Sequence, residues 1–287
     1  MTIYKINNQP TFNKPIYILG SFESFHKGHN ELLQTAKALK ENEPSREIVL
    51  VYFEDVEYLP KNHGKIFTNN EYRIQQFANL GFKNCIRLFY REIRNWSPAE
   101  FIENLVKNQT DYTFIAGTDF KFGAKASGDV KWLLTNYGTN VLIVEPLKLA
   151  NGNKLSTSFL KECLIAGEIE LVNNLNTFNY GFLGELSYST ESVKFEIADA
   201  EKIESLTNGI YICNVIVNDY VYYAAASIVD KSITLEFIDY ILNQGEYQKV
   251  EIQLLQLVRP FLNNETPKIN EKDLFIGKNY FVKISKN

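Results

Sequence analysis

ILGSFESFHKGHNELL, residues 18–33, leads from an apolar segment through a glycine and a polar turn into an amphipathic stretch. An apolar run that ends at Gly20 and gives way to helical spacing predicts a β-strand feeding directly into an α-helix, the opening step of a wound parallel sheet. The chain has three histidines in 287 residues, and two of them, His26 and His29, stand here on either side of Lys27-Gly28. Helix starts carry free N–H groups that attract anions, and open α/β sheets bind ligands where their strands end. Imidazoles at that place can donate to oxygens that gain charge as a phosphorus centre reacts, and Gly28 lacks the Cβ that would keep a nucleotide away. Histidine at a helix start can also serve as a plain cap; the H-x-G-H spacing behind a strand-ending glycine favours phosphate chemistry.

Outward from this stretch the same alternation repeats. Strands are expected at residues 15–20 (PIYILG), 47–53 (EIVLVYF), 85–90 (CIRLFY), 112–117 (YTFIAG) and 140–145 (NVLIVE), each apolar on both faces, as strands covered on both sides should be. Thr68-Asn69-Asn70-Glu71 and Ser97-Pro98-Ala99-Glu100 have the form of capping boxes that open helices, and further helices are expected over residues 129–137 and 158–165, the latter closed by Gly167. Beyond residue 175 the rhythm changes to GFLGELSY, SVKFEIA, GIYICNVIV, DYVYYAAASIV, SITLEFIDYIL (residues 232–242) and QKVEIQLLQLV, joined by turns such as Asn218-Asp219 and Asp230-Lys231. The expected architecture is α/β: a Rossmann-like parallel sheet domain over residues 1–178, followed by a small antiparallel β-barrel over residues 179–287. The lysines at 278, 283 and 286 read as a solvated tail.

A formal charge of −4 argues against a general nucleic-acid binder and leaves room for a local basic pocket. Cys85, Cys163 and Cys213 show no C-x-x-C spacing, so neither a disulfide framework nor a zinc site is expected. No apolar run approaches the roughly 18 residues of a membrane span, and the first residues lack the apolar core of a leader peptide, so a cytoplasmic protein is expected. Small molecules are the expected partners; membrane and nucleic acid are not.

A phosphate-handling site should have a second element, and KLSTSFLKECL, residues 154–164, is the candidate. Ser156, Thr157 and Ser158 stand at a helix start with Lys161 one turn inside, which suits pyrophosphate. Nucleotidyl transfer fits so sparse a toolkit: a phosphorylated substrate attacking the α-phosphorus of a nucleoside triphosphate is already an anion and needs no catalytic serine or cysteine. Alignment, the histidines, Mg2+ and further cations would suffice. Walker A chemistry is excluded, because His63-Gly64-Lys65 and Ile276-Gly277-Lys278 lack the glycine loop before them and the hydroxyl after them.

At this point the residues resemble a family, the prokaryotic FAD synthetases, which are normally bifunctional riboflavin kinase and FMN adenylyltransferase enzymes. The resemblance rests on residues 20–29 (GSFESFHKGH), on AGTDFKFG (116–123) followed by Gly128-Asp129-Val130, and on Leu155-Ser156-Thr157-Ser158 with Lys161. It implies ATP and FMN as substrates, with Mg2+. His26, His29 and Lys161 would carry catalysis, and Gly20, Ser21, Phe22, Gly28, Ser156, Thr157 and Ser158 would bind the nucleotide. Asp119, Phe120 and Phe122 would form the flavin side; two aromatics flanking Lys121 can cover a flat ring, or else belong to the core.

The chain also departs from the family pattern. The usual acidic Asp before H-x-G-H is Glu23, the F-D-P-H-P block reads Phe53-Glu54-Asp55-Val56-Glu57, and the usual arginine is Lys161, which lacks a planar fork. In the second half Asn208-Gly209-Ile210-Tyr211, Leu235-Glu236-Phe237-Ile238-Asp239 and Val258-Arg259-Pro260 resemble strands of the riboflavin kinase barrel, with Glu236 at the position of its base. The P-T-A-N and G-T-R-P-T-F blocks have no match, so the expectation is FAD synthesis with kinase activity lost. A bifunctional enzyme, a different phosphorylated acceptor and a non-catalytic flavin- or nucleotide-binding module stay open as alternatives.

Overall fold

The computed structural model describes residues 1–189, 192–239, 249–261 and 267–284. It divides into two compact units, one made of residues 1–64 and 74–156, the other of residues 65–73 and 157–287.

The first unit is a six-stranded, all-parallel sheet. Its strands are β1 (Thr2–Lys5), β2 (Ile16–Leu19), β3 (Ile48–Phe53), β4 (Asn84–Leu88), β5 (Thr113–Gly117) and β8 (Val141–Val144), in the order β1-β4-β3-β2-β5-β8. A small hairpin, β6 (Lys121–Phe122) and β7 (Gly128–Asp129), follows β5. The five expected strands all form, in the expected parallel arrangement. β1 is an addition: it pairs Ile3 with Cys85 at the sheet edge, and its four half-exposed residues carry too short a pattern to read.

Helices α1 (Lys27–Asn42), α2 (Asn70–Asn79), α3 (Tyr90–Ile93), α4 (Pro98–Leu105) and α5 (Val130–Tyr137) connect these strands. Because strand side chains alternate, Tyr17, Leu19, Val49, Val51, Ile86, Leu88 and Phe114 share one core with Phe101, Ile102 and Leu105 of α4 and Leu133 of α5. Ile16, Ile18, Leu50 and Tyr52 are buried as well, which is why the strands read as continuous apolar runs. Ser97 forms the expected capping box with Glu100 and has Pro98 at the first turn. The helix expected behind Thr68 forms as α2, which starts at Asn70. The Thr68 hydroxyl donates to the Gly181 carbonyl, and Asn69 exchanges two hydrogen bonds with Leu183.

The second unit is a closed antiparallel barrel of β9 (Gly181–Tyr188), β10 (Val193–Glu196), β11 (Gly209–Val217), β12 (Tyr220–Val229), β13 (Ser232–Phe237) and β14 (Val250–Pro260), in the order β10-β13-β12-β11-β14-β9 with β9 pairing back to β10. Asn218 and Asp219 both take positive φ, the conformation a two-residue hairpin demands. The last three residues of the strand expected over 232–242 lie outside the described residues, as does Lys286. Helices α6 (Thr157–Ile165), α7 (Ile169–Leu175) and α8 (Glu271–Ile284) complete this unit. Gly167 ends α6 at φ +81°, with its N–H on Leu164 and that of Glu168 on Cys163, a Schellman closure.

The expected solvated tail is therefore a helix. Phe281 of α8 is buried and stacks on Tyr223 at 3.9 Å, and the buried Asp273 takes Arg259 in two hydrogen bonds of 3.0 Å. Lys278 pairs with Asp239 at the surface. Gly277 inside the apolar pattern obscured this helix; a Cβ there would come within 2.6 Å of Ile238, so close packing is the reason glycine stands there. Among the described residues no helix is long and apolar enough to cross a membrane.

Candidate active site

In the strand order β3-β2-β5 the chain leaves β2 toward one side of the sheet and later leaves β5 toward the other. The crevice beyond the carboxyl ends of these two strands is the switch point at which such sheets bind ligands. Residues 20–29 leave β2 there, and Gly117, Thr118 and Asp119 leave β5.

His26 is the N-cap of α1, with extended backbone (φ −73°, ψ 168°), and its Nδ1 accepts from the His29 N–H at 3.2 Å. Cap and phosphate ligand are thus compatible roles, because capping occupies one ring nitrogen only. The two imidazoles stack at 3.8 Å with 14° between their planes. His29 Nδ1 lies 3.0 Å from the Ser24 carbonyl oxygen. A carbonyl only accepts, so Nδ1 of His29 carries the proton, while Nδ1 of His26, an acceptor, does not. Neutral His26 therefore presents an N–H at Nε2, and neutral His29 a lone pair.

Both rings are held uncharged. Burial, then the cations Lys154 and Lys61, push the His26 pKa down to about 3. Burial is also the first cause at His29, followed by His26, and its pKa falls well below the ordinary histidine value. By accessible surface His29 is only half-buried, so the larger desolvation belongs to the part of its ring set against Phe22 (4.9 Å) and Phe25 (5.9 Å).

Three expected nucleotide residues act through packing or space. Phe22 is buried, so its side chain supports His29 and only its backbone is left for a ligand. A Cβ on Gly20 would lie 2.9 Å from the Phe22 ring. A Cβ on Gly28 would lie 3.1 Å from His26 Nδ1 and 3.2 Å from its Cε1, with Leu147 3.6 Å away, so the missing side chain keeps the ring's surroundings open.

On the β5 side, the exposed Asp119 pairs with Lys154, which a short backbone bridge between Lys148 and Lys154 carries back toward the strand ends. Asp119 also acts electrostatically on His26. Phe122 is buried in the core against Phe101 and Trp132, each 5.6 Å away, and half-buried Phe120 stacks on it at 5.3 Å. Of the two aromatics, Phe120 is the one with a face toward solvent.

Ser156 closes the first compact unit, and Thr157, Ser158 and Lys161 fall in the second. Thr157 is buried at the start of α6 and Ser158 is exposed. Lys161 is not a solvated charge: it is buried, and its Nζ donates to the Lys65 carbonyl oxygen at 2.9 Å. Two cations escaped the sequence reading, Lys61, whose Nζ reaches Ser21 Oγ at 3.3 Å, and Lys154. Single lysines carry no spacing signal that could have revealed them. Asp55, in the altered second block, is buried and accepts from the N–H groups of Tyr90 and Arg91, which makes it the anchor of α3.

Among the described residues no group of three or more His, Cys, Asp or Glu could hold a metal ion. The nearby carboxylate, Asp119, is taken by Lys154, so the residues present do not form a protein-held Mg2+ site. Mg2+ often binds mainly through substrate phosphates and water.

Comparison with known proteins agrees with this picture. The chain is 26% identical over 300 residues to a bifunctional riboflavin kinase/FMN adenylyltransferase of Buchnera aphidicola subsp. Schizaphis graminum, covering 92% of this chain and 93% of that protein. A bifunctional riboflavin kinase/FMN adenylyltransferase of Bacillus subtilis is 24% identical over 227 residues, 75% of this chain and 72% of the other. A solved structure described as a macrolide-efflux protein from Streptococcus pneumoniae has the same fold, with a TM-score of 0.75 at 18% identity over 99% of this chain and 98% of that one. Residues 9–159, which span the sheet from β2 onward, the histidine pair and the Ser156 segment, match the family model for FAD synthetase, and the chain belongs to that family.

Proposed function

We propose that the chain transfers AMP from ATP to FMN, giving FAD and pyrophosphate, with its first domain (1–178) performing the transfer and its barrel domain (179–287) no longer acting as a kinase. A phosphate oxygen of FMN bonds to the α-phosphorus of ATP as the bond from that phosphorus to the bridging oxygen of the β-phosphate breaks. Pyrophosphate leaves with that oxygen. The stacked His26–His29 pair at the switch point is the observation that carries this reading.

His26 Nε2–H donates to the ATP phosphates, and the Ser24 carbonyl holds the His29 ring in place. Gly28 leaves the nucleotide room, and Asp119 and Phe120 serve the flavin side, with Phe122 supporting Phe120 from the core. Ser156, Thr157, Ser158 and Lys161 are assigned to the pyrophosphate by their motif. Mg2+ carried in with ATP would supply counter-charge to its phosphates and would not need a ligand from this chain.

Loss of the kinase is supported by the missing P-T-A-N and G-T-R-P-T-F blocks and by Glu236, which is exposed on β13 beside the buried Leu235. The bifunctional names of the relatives favour a second reading, in which the barrel retains kinase activity. Chromatography of reactions with MgATP separates the two. FMN should give FAD, and riboflavin should give neither FMN nor FAD; FMN formed from riboflavin would establish the second reading, and no FAD from FMN would refute both.

A further inference from the structure

Adenylyl transfer to a phosphomonoester brings two polyanions together, so the site needs positive charge beyond what neutral imidazoles supply. Lys154 brings one cation, but its charge is offset by Asp119. A second cation comes from the loop after β3. There the buried Asn62 donates its side-chain N–H to the Val56 carbonyl at 2.7 Å and its backbone N–H to Leu59 at 2.9 Å, while Gly64 N–H reaches the Glu57 carbonyl at 3.2 Å. Asp55, anchored on the start of α3, fixes the loop's entry. Lys61 stands immediately before Asn62, and its ammonium crosses to Ser21 Oγ at 3.3 Å, in the turn that leads into the histidine pair.

We infer that Lys61 is a substrate-binding residue of this site and receives the phosphate of the incoming phosphomonoester. The position of the ammonium supports the role, since its charge is felt at both His26 and His29. An exposed lysine on a mobile chain would have to lose its rotamer freedom on binding. Here the backbone is pinned on both sides of it and Ser21 already guides the head group. The inference rests on the proposed adenylyl transfer for the identity of the phosphomonoester, FMN.

Lys61→Gln and Lys61→Arg test it, and both should fold because the side chain is exposed. Lys61→Gln should raise the KM for FMN by roughly tenfold or more, the order of one charge-assisted hydrogen bond, with the KM for ATP changed less than about threefold. Lys61→Arg should recover most of the loss. An unchanged KM for FMN, or a rise confined to ATP, overturns the inference. Quenching of FMN fluorescence without ATP gives a reading independent of turnover. If the wild type makes no FAD, the proposed function fails by itself, while roughly tenfold weaker FMN binding by Lys61→Gln would still uphold the lysine's role and equal binding would refute it.

Discussion

Gly28→Ala separates the stability of the helix from the chemistry of the histidine pair. Gly28 is the second residue of α1, where alanine is the better helix former by up to about 1 kcal/mol. The new methyl would meet His26 Nδ1 at 3.1 Å and Cε1 at 3.2 Å, and with Leu147 3.6 Å away the relief available is for the ring to shift by a few tenths of an ångström. That shift loosens the His26 cap, a contact worth roughly 1 kcal/mol, so gain and loss nearly cancel and stability should stay within about 1 kcal/mol of wild type. Catalysis has no such compensation. Misplacement on the order of 1 Å can cost about 100-fold, and here a smaller displacement adds to a methyl standing where the nucleotide approaches. The kcat/KM for ATP should fall by at least roughly tenfold, about 1.4 kcal/mol of transition-state stabilisation. Steady-state FAD formation by chromatography and thermal unfolding, measured on the same preparation, read the two effects. Wild-type kcat/KM in a folded Gly28→Ala protein would refute the placement of the nucleotide beside His26, and a loss of activity that only tracks unfolding would refute the separation of site from scaffold.

Three further outcomes follow from the same geometry. His29→Ala should lower FAD formation more than roughly tenfold while the protein stays folded, because it removes a ring of the pair and leaves the His26 backbone cap in place; an unchanged rate ends the site assignment. The depressed His26 pKa means that the unfolded chain binds more protons than the folded one between its unfolded value near 6.5 and its folded value of about 3. Stability from this group is therefore full above the upper limit and is lost as pH falls, by on the order of 2 kcal/mol at pH 5. Thermal melts of His26→Gln should show a correspondingly flatter decline from pH 7 to pH 5 than the wild type, and parallel declines would contradict the buried neutral ring. Ser97→Ala, which removes a capping box away from the histidine pair, should cost about 1 kcal/mol in chemical denaturation with KM values unchanged, and altered KM values would show that α4 is coupled to the site.

Legibility in the sequence followed how local each feature's physics was. The four inner strands could be read because burial on both faces writes continuous apolar runs, and the edge strand β8 (VLIV) because it is apolar throughout, whereas β1, four residues at the other edge, leaves almost no pattern. The Ser97 box could be read because its partners lie within one turn. The start of α2 behind Thr68 could be read from the same kind of pattern, whereas the bonds that Thr68 and Asn69 make to strand β9, more than a hundred residues away, could not. His26 and His29 were visible through their spacing, but the tautomers that make one ring a donor and the other an acceptor depend on the Ser24 carbonyl and the His29 N–H, which spacing does not encode. Lys61 and Lys154 are placed at the site by side-chain contacts distant in sequence, with Ser21 for one and Asp119 for the other.

Label transfer from ATP tests the central claim most directly. With FMN and ATP labelled at the α-phosphorus, the label should appear in FAD; with ATP labelled at the γ-phosphorus, it should appear in pyrophosphate when FMN is supplied, and in no flavin with either FMN or riboflavin. A flavin product without α-label, or no labelled flavin at all from FMN, would contradict adenylyl transfer at the histidine pair.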